Sequence, residues 1–217
     1  MSAAHPVVLG FDTSGKYCSA ALFADGDIVS AKHEDMSRGQ AERLFPMLEE
    51  VLSESSHTWA DLDALGIGSG PGNFTGIRIG ISAARGLALS LGIPAVSVPL
   101  MDALAEDAPL PAFLSLAGPR DMYYLQLRET GKTGETDLSD LALRPPFPSG
   151  TVAIGEGSDV IAKTFDLPRR PSAYATGSAI ARIAARRFPT TTARPTPIYL
   201  RPADAAPRKD TGIAILP

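Results

Sequence analysis

Gly68-Ser69-Gly70-Pro71-Gly72-Asn73-Phe74-Thr75-Gly76-Ile77-Arg78-Ile79-Gly80 joins an apolar run to a helical one. The glycines and proline end a strand, and the first free N–H groups of the helix that follows face whatever fills the loop, an arrangement suited to an anion. The block is not a Walker A loop, because no Gly-Lys-Ser/Thr follows at the required spacing, and no Gly-x-Gly-x-x-Gly register fits it. A tight strand-to-helix turn accounts for the same glycines without any ligand.

Working outward, residues 75–91 have the length and period of a helix that stops at Gly92 and Pro94, and 95–98 read as a strand. Upstream, 62–69 read as a strand. Residues 40–53 read as an amphipathic helix with Leu44, Leu48, Val51 and Leu52 at i, i+4, i+7 and i+8 and a kink expected at Pro46. Three antiparallel strands are expected at 7–11, 17–24 and 28–32, joined by the turn Asp12-Thr13-Ser14-Gly15 and the hairpin signal Asp25-Gly26. A three-strand meander followed by helices alternating with strands is an α/β pattern with a mixed sheet. Composition resets after Asp107-Ala108-Pro109, so a boundary is expected there, dividing the chain into 1–107 and a smaller part at 108–217. That second part shows strands at 112–116, 123–128 and 152–154, a helix at 178–188, an aperiodic Pro-rich stretch ending at 144–148, and a tail at 203–217.

The 217 residues are 44% hydrophobic and 20% charged, enough for one large or two small domains with a real core. A net charge of −4 excludes an overall basic field for nucleic acid. One cysteine, Cys18, excludes an internal disulfide and a Cys-rich zinc site, and suggests a reducing compartment. With no basic leader and no run of about eighteen apolar residues, a soluble cytoplasmic protein is expected.

Few residues carry chemistry. Asp12-Thr13-Ser14 at a strand end could place a carboxylate and hydroxyls near a nucleotide phosphate or its magnesium, but the match is short and a local Asx or Ser/Thr turn explains the same residues better. His5, His33 and His57 are isolated, and no nucleophile–base set stands out. Gly76, Gly80, Ala84 and Ala88 recur every four residues, a smooth stripe along which another backbone packs closely. The two helices carry apolar residues on more than one side, among them Phe45, Met47, Ile77, Ile79 and Ile81, more than one sheet face covers. Arg169, Arg170, Arg182, Arg186, Arg187, Arg194, Arg201, Arg208 and Lys209 make the C-terminal third locally basic, with no aromatic platform among them.

Together, Gly10-Phe11-Asp12-Thr13-Ser14, the Gly68–Gly80 block running into Ala83-Ala84-Arg85-Gly86-Leu87-Ala88, and Ile93-Pro94-Ala95-Val96-Ser97-Val98 resemble the TsaB (YeaZ) family. The likeness covers about the first 105 residues. Ile198-Tyr199-Leu200-Arg201 is similar to that family's C-terminal signature, and Asn73 stands where the family more often has Ser. The resemblance implies an actin-like, Hsp70-like ATPase (ASKHA) fold of two related subdomains. It also implies a non-catalytic subunit that pairs with its paralog TsaD and, with the ATPase TsaE, supports threonylcarbamoyl transfer to the adenosine beside the anticodon of tRNAs reading codons that begin with A. In that reading ATP/ADP and metal sit on the partner subunits, and tRNA is met through the complex. The paralog's His-x-x-x-His metal motif falls where this chain has Leu100 and Leu104, and aliphatic side chains ligate no metal.

The partner interface expected from this reading is Leu44, Met47, Leu48, Val51, Gly76, Ile77, Gly80 and Ala84, a surface that pairs with a second copy when the partner is absent. Asp12, Thr13, Ser14, Gly70 and Gly72 are the expected remnant of a nucleotide site. The competing readings are a stand-alone nucleotide-dependent kinase or ATPase of the same fold, a peptidase, and a tRNA-binding module. The first needs a second phosphate loop, for which only Gly155-Glu156-Gly157 offers itself.

Overall fold

The computed structural model describes residues 5–142 and 146–200. Arg201, Arg208, Lys209, the 203–217 tail and part of the 144–148 stretch lie outside the described residues. The elements run β1 (Val8–Asp12), β2 (Tyr17–Ala24), β3 (Asp27–Asp35), α1 (Gln40–Glu54), β4 (Ala64–Gly68), α2 (Phe74–Leu91), β5 (Ala95–Val98) and α3 (Leu100–Ala105). They continue with β6 (Ala112–Ala117), β7 (Tyr123–Glu129), β8 (Lys132–Thr133), β9 (Asp137–Ser139), β10 (Val152–Gly155), α4 (Ser158–Phe165) and α5 (Thr176–Arg187).

The first sheet has the order β3-β2-β1-β4-β5. β1 to β3 form the antiparallel meander, and β4 and β5 join in parallel through the crossover helices α1 and α2. A second sheet has the order β10-β6-β7-β8, with β9 also on β7 and β10 parallel to β6.

Alternation along β1 and β4 assigns their two faces. Leu9, Phe11, Leu65 and Ile67 join Leu44, Met47, Leu48, Val51, Ile77, Ile81 and Ala84 in one buried cluster beneath α1 and α2. Val8 and Ala64 face the other way, into a cluster with Ile180, Ile183 and Ala184 of α5 and with Leu114 and Ile154 of the second sheet. Helix α5 lies unusually close to β1 and β4. Ala181 occupies the space a Cβ on Gly10 would need, and a Cβ on Gly66 would meet Ala184 Cβ at 2.8 Å. The glycines there make room for a helix rather than for a turn.

One feature departs from the sequence reading: α4 follows β10 where no helix is expected. Helix α1 spans Gln40–Glu54 with Pro46 inside it on the exposed side. In addition, the second half does not stay on its own side of residue 108: α5 covers the first sheet, and residues 191–200 return across α2 and β5. Arg85 Nε donates to Pro195 O at 2.9 Å, Ser97 Oγ to Thr196 O at 3.4 Å, and Ile198 N to Ser69 O at 2.7 Å.

Charge networks pin α5 to α3. Arg186 grips Glu106 with two nitrogens at 2.8 and 2.7 Å. Arg187 donates to Asp102 at 2.9 Å, and Arg128 reaches the same carboxylate from β7. Most of the α5 arginines that look basic in sequence are therefore spent on this chain's own acids.

Gly10→Val should destabilise the fold by about 3 kcal/mol, because the branched side chain drives α5 off the sheet. For a chain of this size that lowers Tm by roughly 10 °C. Thermal unfolding followed by circular dichroism checks it, and an unchanged Tm contradicts the seating of α5 on β1.

Candidate nucleotide-site remnant and docking helices

The ends of β1 and β4 meet as the sequence suggests. Asn73 N donates to Ser14 O at 2.7 Å, and Thr13 Oγ1 donates to Gly76 O at 2.7 Å. A Cβ on Gly76 would collide with Thr13 O, and one on Gly72 would lie 2.7 Å from Ser14 O. Asn73 caps α2 by accepting from Gly76 N at 2.9 Å, so a donor in the first turn already has its acceptor. Gly70 is joined to Pro71 by a cis peptide, and a Cβ on Gly70 would meet Ile198 O at 2.9 Å. Asp12, Thr13, Ser14, Gly70 and Gly72 are thus gathered in one place, and most of their polar groups are turned on each other.

Asp12 is completely buried. Its Oδ2 accepts from Ser14 Oγ at 2.9 Å and Ser14 N at 3.3 Å, while Oδ1 has no hydrogen-bond partner. Burial pushes the carboxyl above the usual carboxylate range, opposed only in part by the nearby hydroxyls of Tyr17 and Ser14 and the local backbone. Tyr17 closes the side toward the neighbouring cleft, its own hydroxyl pushed well up by burial and by Asp12.

That cleft, about 470 Å³, opens between the two sheets and is lined by Tyr17, Leu100, Leu104, Glu156, Arg169 and Tyr174 among others. The Gly155-Glu156-Gly157 turn forms one wall, with φ of 109° and 71° at its glycines. Its groups hold the second sheet together: Ser115 Oγ donates to Glu156 O at 2.8 Å, and Ala117 N to Glu156 Oε2 at 3.0 Å. The cleft lining carries both signs of charge, Arg169 and Arg170 as well as Asp35 and Glu156. Leu100 and Leu104, where the resemblance puts the paralog's histidines, both line the cleft with hydrocarbon, which ligates no metal. Among the described residues no cluster of three His, Cys, Asp or Glu side chains is placed to hold a metal ion. No helix of the described residues is long and apolar enough to cross a membrane.

The expected interface residues need correction. Leu44, Met47, Leu48, Val51, Gly76, Ile77, Gly80 and Ala84 are all buried in the chain's own core, so their side chains are already taken. Gly76 and Gly80 receive Thr13 and Ile67 rather than another protein. The opposite faces of the same helices are open: Phe45 of α1 is 45% exposed and Leu89 of α2 is 86% exposed. Ser82, Gly86 and Leu89 form an outward stripe, and a Cβ on Gly86 would meet nothing within 4 Å. An exposed phenylalanine and leucine beside small residues were the signal available in sequence, hidden by the stronger buried period.

The raised pKa of Asp12 has a definite sign. The folded state binds the proton more tightly than the unfolded chain, so the contribution to stability is full at low pH and is lost as pH rises through the raised value. Asp12→Asn keeps an acceptor for Ser14 and removes the buried charge. The variant should exceed the wild type in stability at pH 8 and lose that advantage at pH 4. Urea unfolding at both values checks this; an equal difference at the two contradicts it.

Comparison with known proteins agrees with the geometry. The family model described as TsaD, tRNA N6-adenosine threonylcarbamoyltransferase, matches residues 31–199. The tRNA threonylcarbamoyladenosine biosynthesis protein TsaB of Escherichia coli K12 is 41% identical over 101 residues, which cover 46% of this chain and 43% of that protein. The match therefore spans under half the length of that relative. An uncharacterized protein of Mycobacterium tuberculosis is 31% identical over 207 residues, 92% of this chain and 94% of its own. The solved structure of YeaZ from Pseudomonas aeruginosa superposes with a TM-score of 0.71 at 25% identity, covering 90% of this chain and all of that one. The two sheets flanked by helices are accordingly the actin-like, Hsp70-like ATPase fold. By the family model that spans most of its length and by these relatives, the chain belongs to the TsaD-type family and, within it, to the TsaB (YeaZ) group.

Proposed function

We propose that this chain is a non-catalytic subunit of tRNA threonylcarbamoyladenosine biosynthesis, which docks on a TsaD-type transferase through the outward faces of α1 and α2. The observation that carries the reading is a division within those helices. One face builds the chain's own core, while the other leaves Phe45 of α1 exposed and Leu89 of α2 exposed near Gly86, uncovered among the described residues. Leu100 and Leu104 supply no metal ligand in the chain itself, so the transfer chemistry belongs to the partner. The TsaE ATPase and tRNA enter through that complex, and without the partner the same face supports pairing with a second copy.

A stand-alone kinase would need Asp12 to face a metal–phosphate group. Its complete burial, with Tyr17 rather than Asp12 lining the cleft, weighs against that alternative. Direct tRNA capture has weaker support still, because Arg182, Arg186 and Arg187 are paired with Asp27, Glu106, Asp107 and Asp102.

Gly86→Arg is the test. The side chain projects into open space, so the monomer should keep its Tm while co-elution with the transferase from the same organism is lost on gel filtration. Formation of threonylcarbamoyladenosine by the reconstituted proteins should fall at least tenfold. Unaltered co-elution with a folded variant contradicts docking through this face.

A further inference from the structure

At the C-terminal end of α2 the outward stripe runs into a groove of about 450 Å³. Its floor is Ala88, Ile93, Pro94 and Ala95, and its far wall is residues 191–195 of the returning segment. Leu89 stands at the lip, 86% exposed, more than any other large apolar side chain among the described residues. The wall is held before any ligand arrives, by Arg85 on Pro195 O and by Ile198 N on Ser69 O at 2.7 Å. A preformed groove spends no ordering entropy when it is filled.

Its electrostatics are one-sided. Arg85 and Arg194 line it, and among the described residues no acidic one does. Arg194 has no ion-pair partner among the described residues, and Arg85 spends its donors on a neutral carbonyl. On a chain of net charge −4 this is a local positive rim around an apolar floor.

We infer that this groove is a second anchor point for the docking partner, receiving a segment of the transferase that presents a large apolar side chain beside a carboxylate. The inference rests on the docking proposed above, and the occupant follows from two observations. The groove is continuous with the Ser82–Gly86–Leu89 stripe, so a protein covering that stripe reaches it without a gap. Its cationic rim complements an acid, and its floor has room for one large hydrocarbon group.

Binding of the full chain to the transferase is measured by titration calorimetry at two salt concentrations, with Tm confirming that each variant is folded. Leu89→Ser should weaken binding about tenfold, as expected for losing the burial of one leucine. Arg194→Glu should weaken it and flatten or reverse its salt dependence. With benzoylphenylalanine in place of Thr192 in the groove wall, irradiation should capture a transferase peptide carrying a large apolar residue within a few positions of Asp or Glu. Wild-type affinity and salt dependence in Arg194→Glu with no transferase cross-link from position 192, while Gly86→Arg still abolishes binding, overturns the groove and leaves the docking face standing. Cross-linking only to a second copy of this chain also overturns it. If the wild-type chain does not bind the transferase at all, both proposals fall together.

Discussion

The contact between α2 and the turn after β1 is the constraint on which the rest of the molecule depends. Gly76 lets the helix sit directly on the Thr13 carbonyl, Thr13 Oγ1 donates to Gly76 O at 2.7 Å, and Asn73 N closes the loop on Ser14 O. A loop tied down in this way has little left to offer a phosphate. The same contact fixes the rotation of α2, turning Ile77, Ile81 and Ala84 inward and Ser82, Gly86 and Leu89 outward. Closure of the Asp12 loop and the outward presentation of Ser82, Gly86 and Leu89 are two results of one packing arrangement.

The far side of the sheet repeats the principle with a different helix. Helix α5 presses against β1 and β4 across Gly10 and Gly66, and its arginines bind Asp102 and Glu106 at the two ends of α3. Glu106 is 9% exposed, so removing Arg186 would leave a nearly buried charge without its best partner. The chain's second half therefore serves the first: α5 completes its core, and residues 191–195 wall the groove beside α2.

Much of this architecture was legible in the residues. The meander, the two crossover helices and the parallel strands follow from period-2 and period-3.6 patterns bounded by Asp25-Gly26, Gly70-Pro71-Gly72 and Gly92. The use of the α2 stripe was misjudged, because periodicity says that a face is covered but not by what; Thr13 and Ile67 lie far away in sequence. The return of α5 to the first sheet was hidden for the same reason, since nothing local in Ala179-Ile180-Ala181 names Gly10 as its neighbour. Asp12 was found by its position at a strand end, but only the three-dimensional packing shows it sealed rather than open.

The central claim is that the outward faces of α1 and α2 do the work of this chain while the Asp12 loop and the cleft between the two sheets do not. Hydrogen exchange of the full chain, alone and mixed with the transferase of the same organism, measures this directly by mass spectrometry. The account predicts slowed exchange in peptides covering 40–54 and 82–91, with no change at 12–15 or 155–158 when magnesium and ATP are added to the chain alone. Protection at 12–15 and 155–158 by nucleotide, with none at the two helices on adding the transferase, would contradict it.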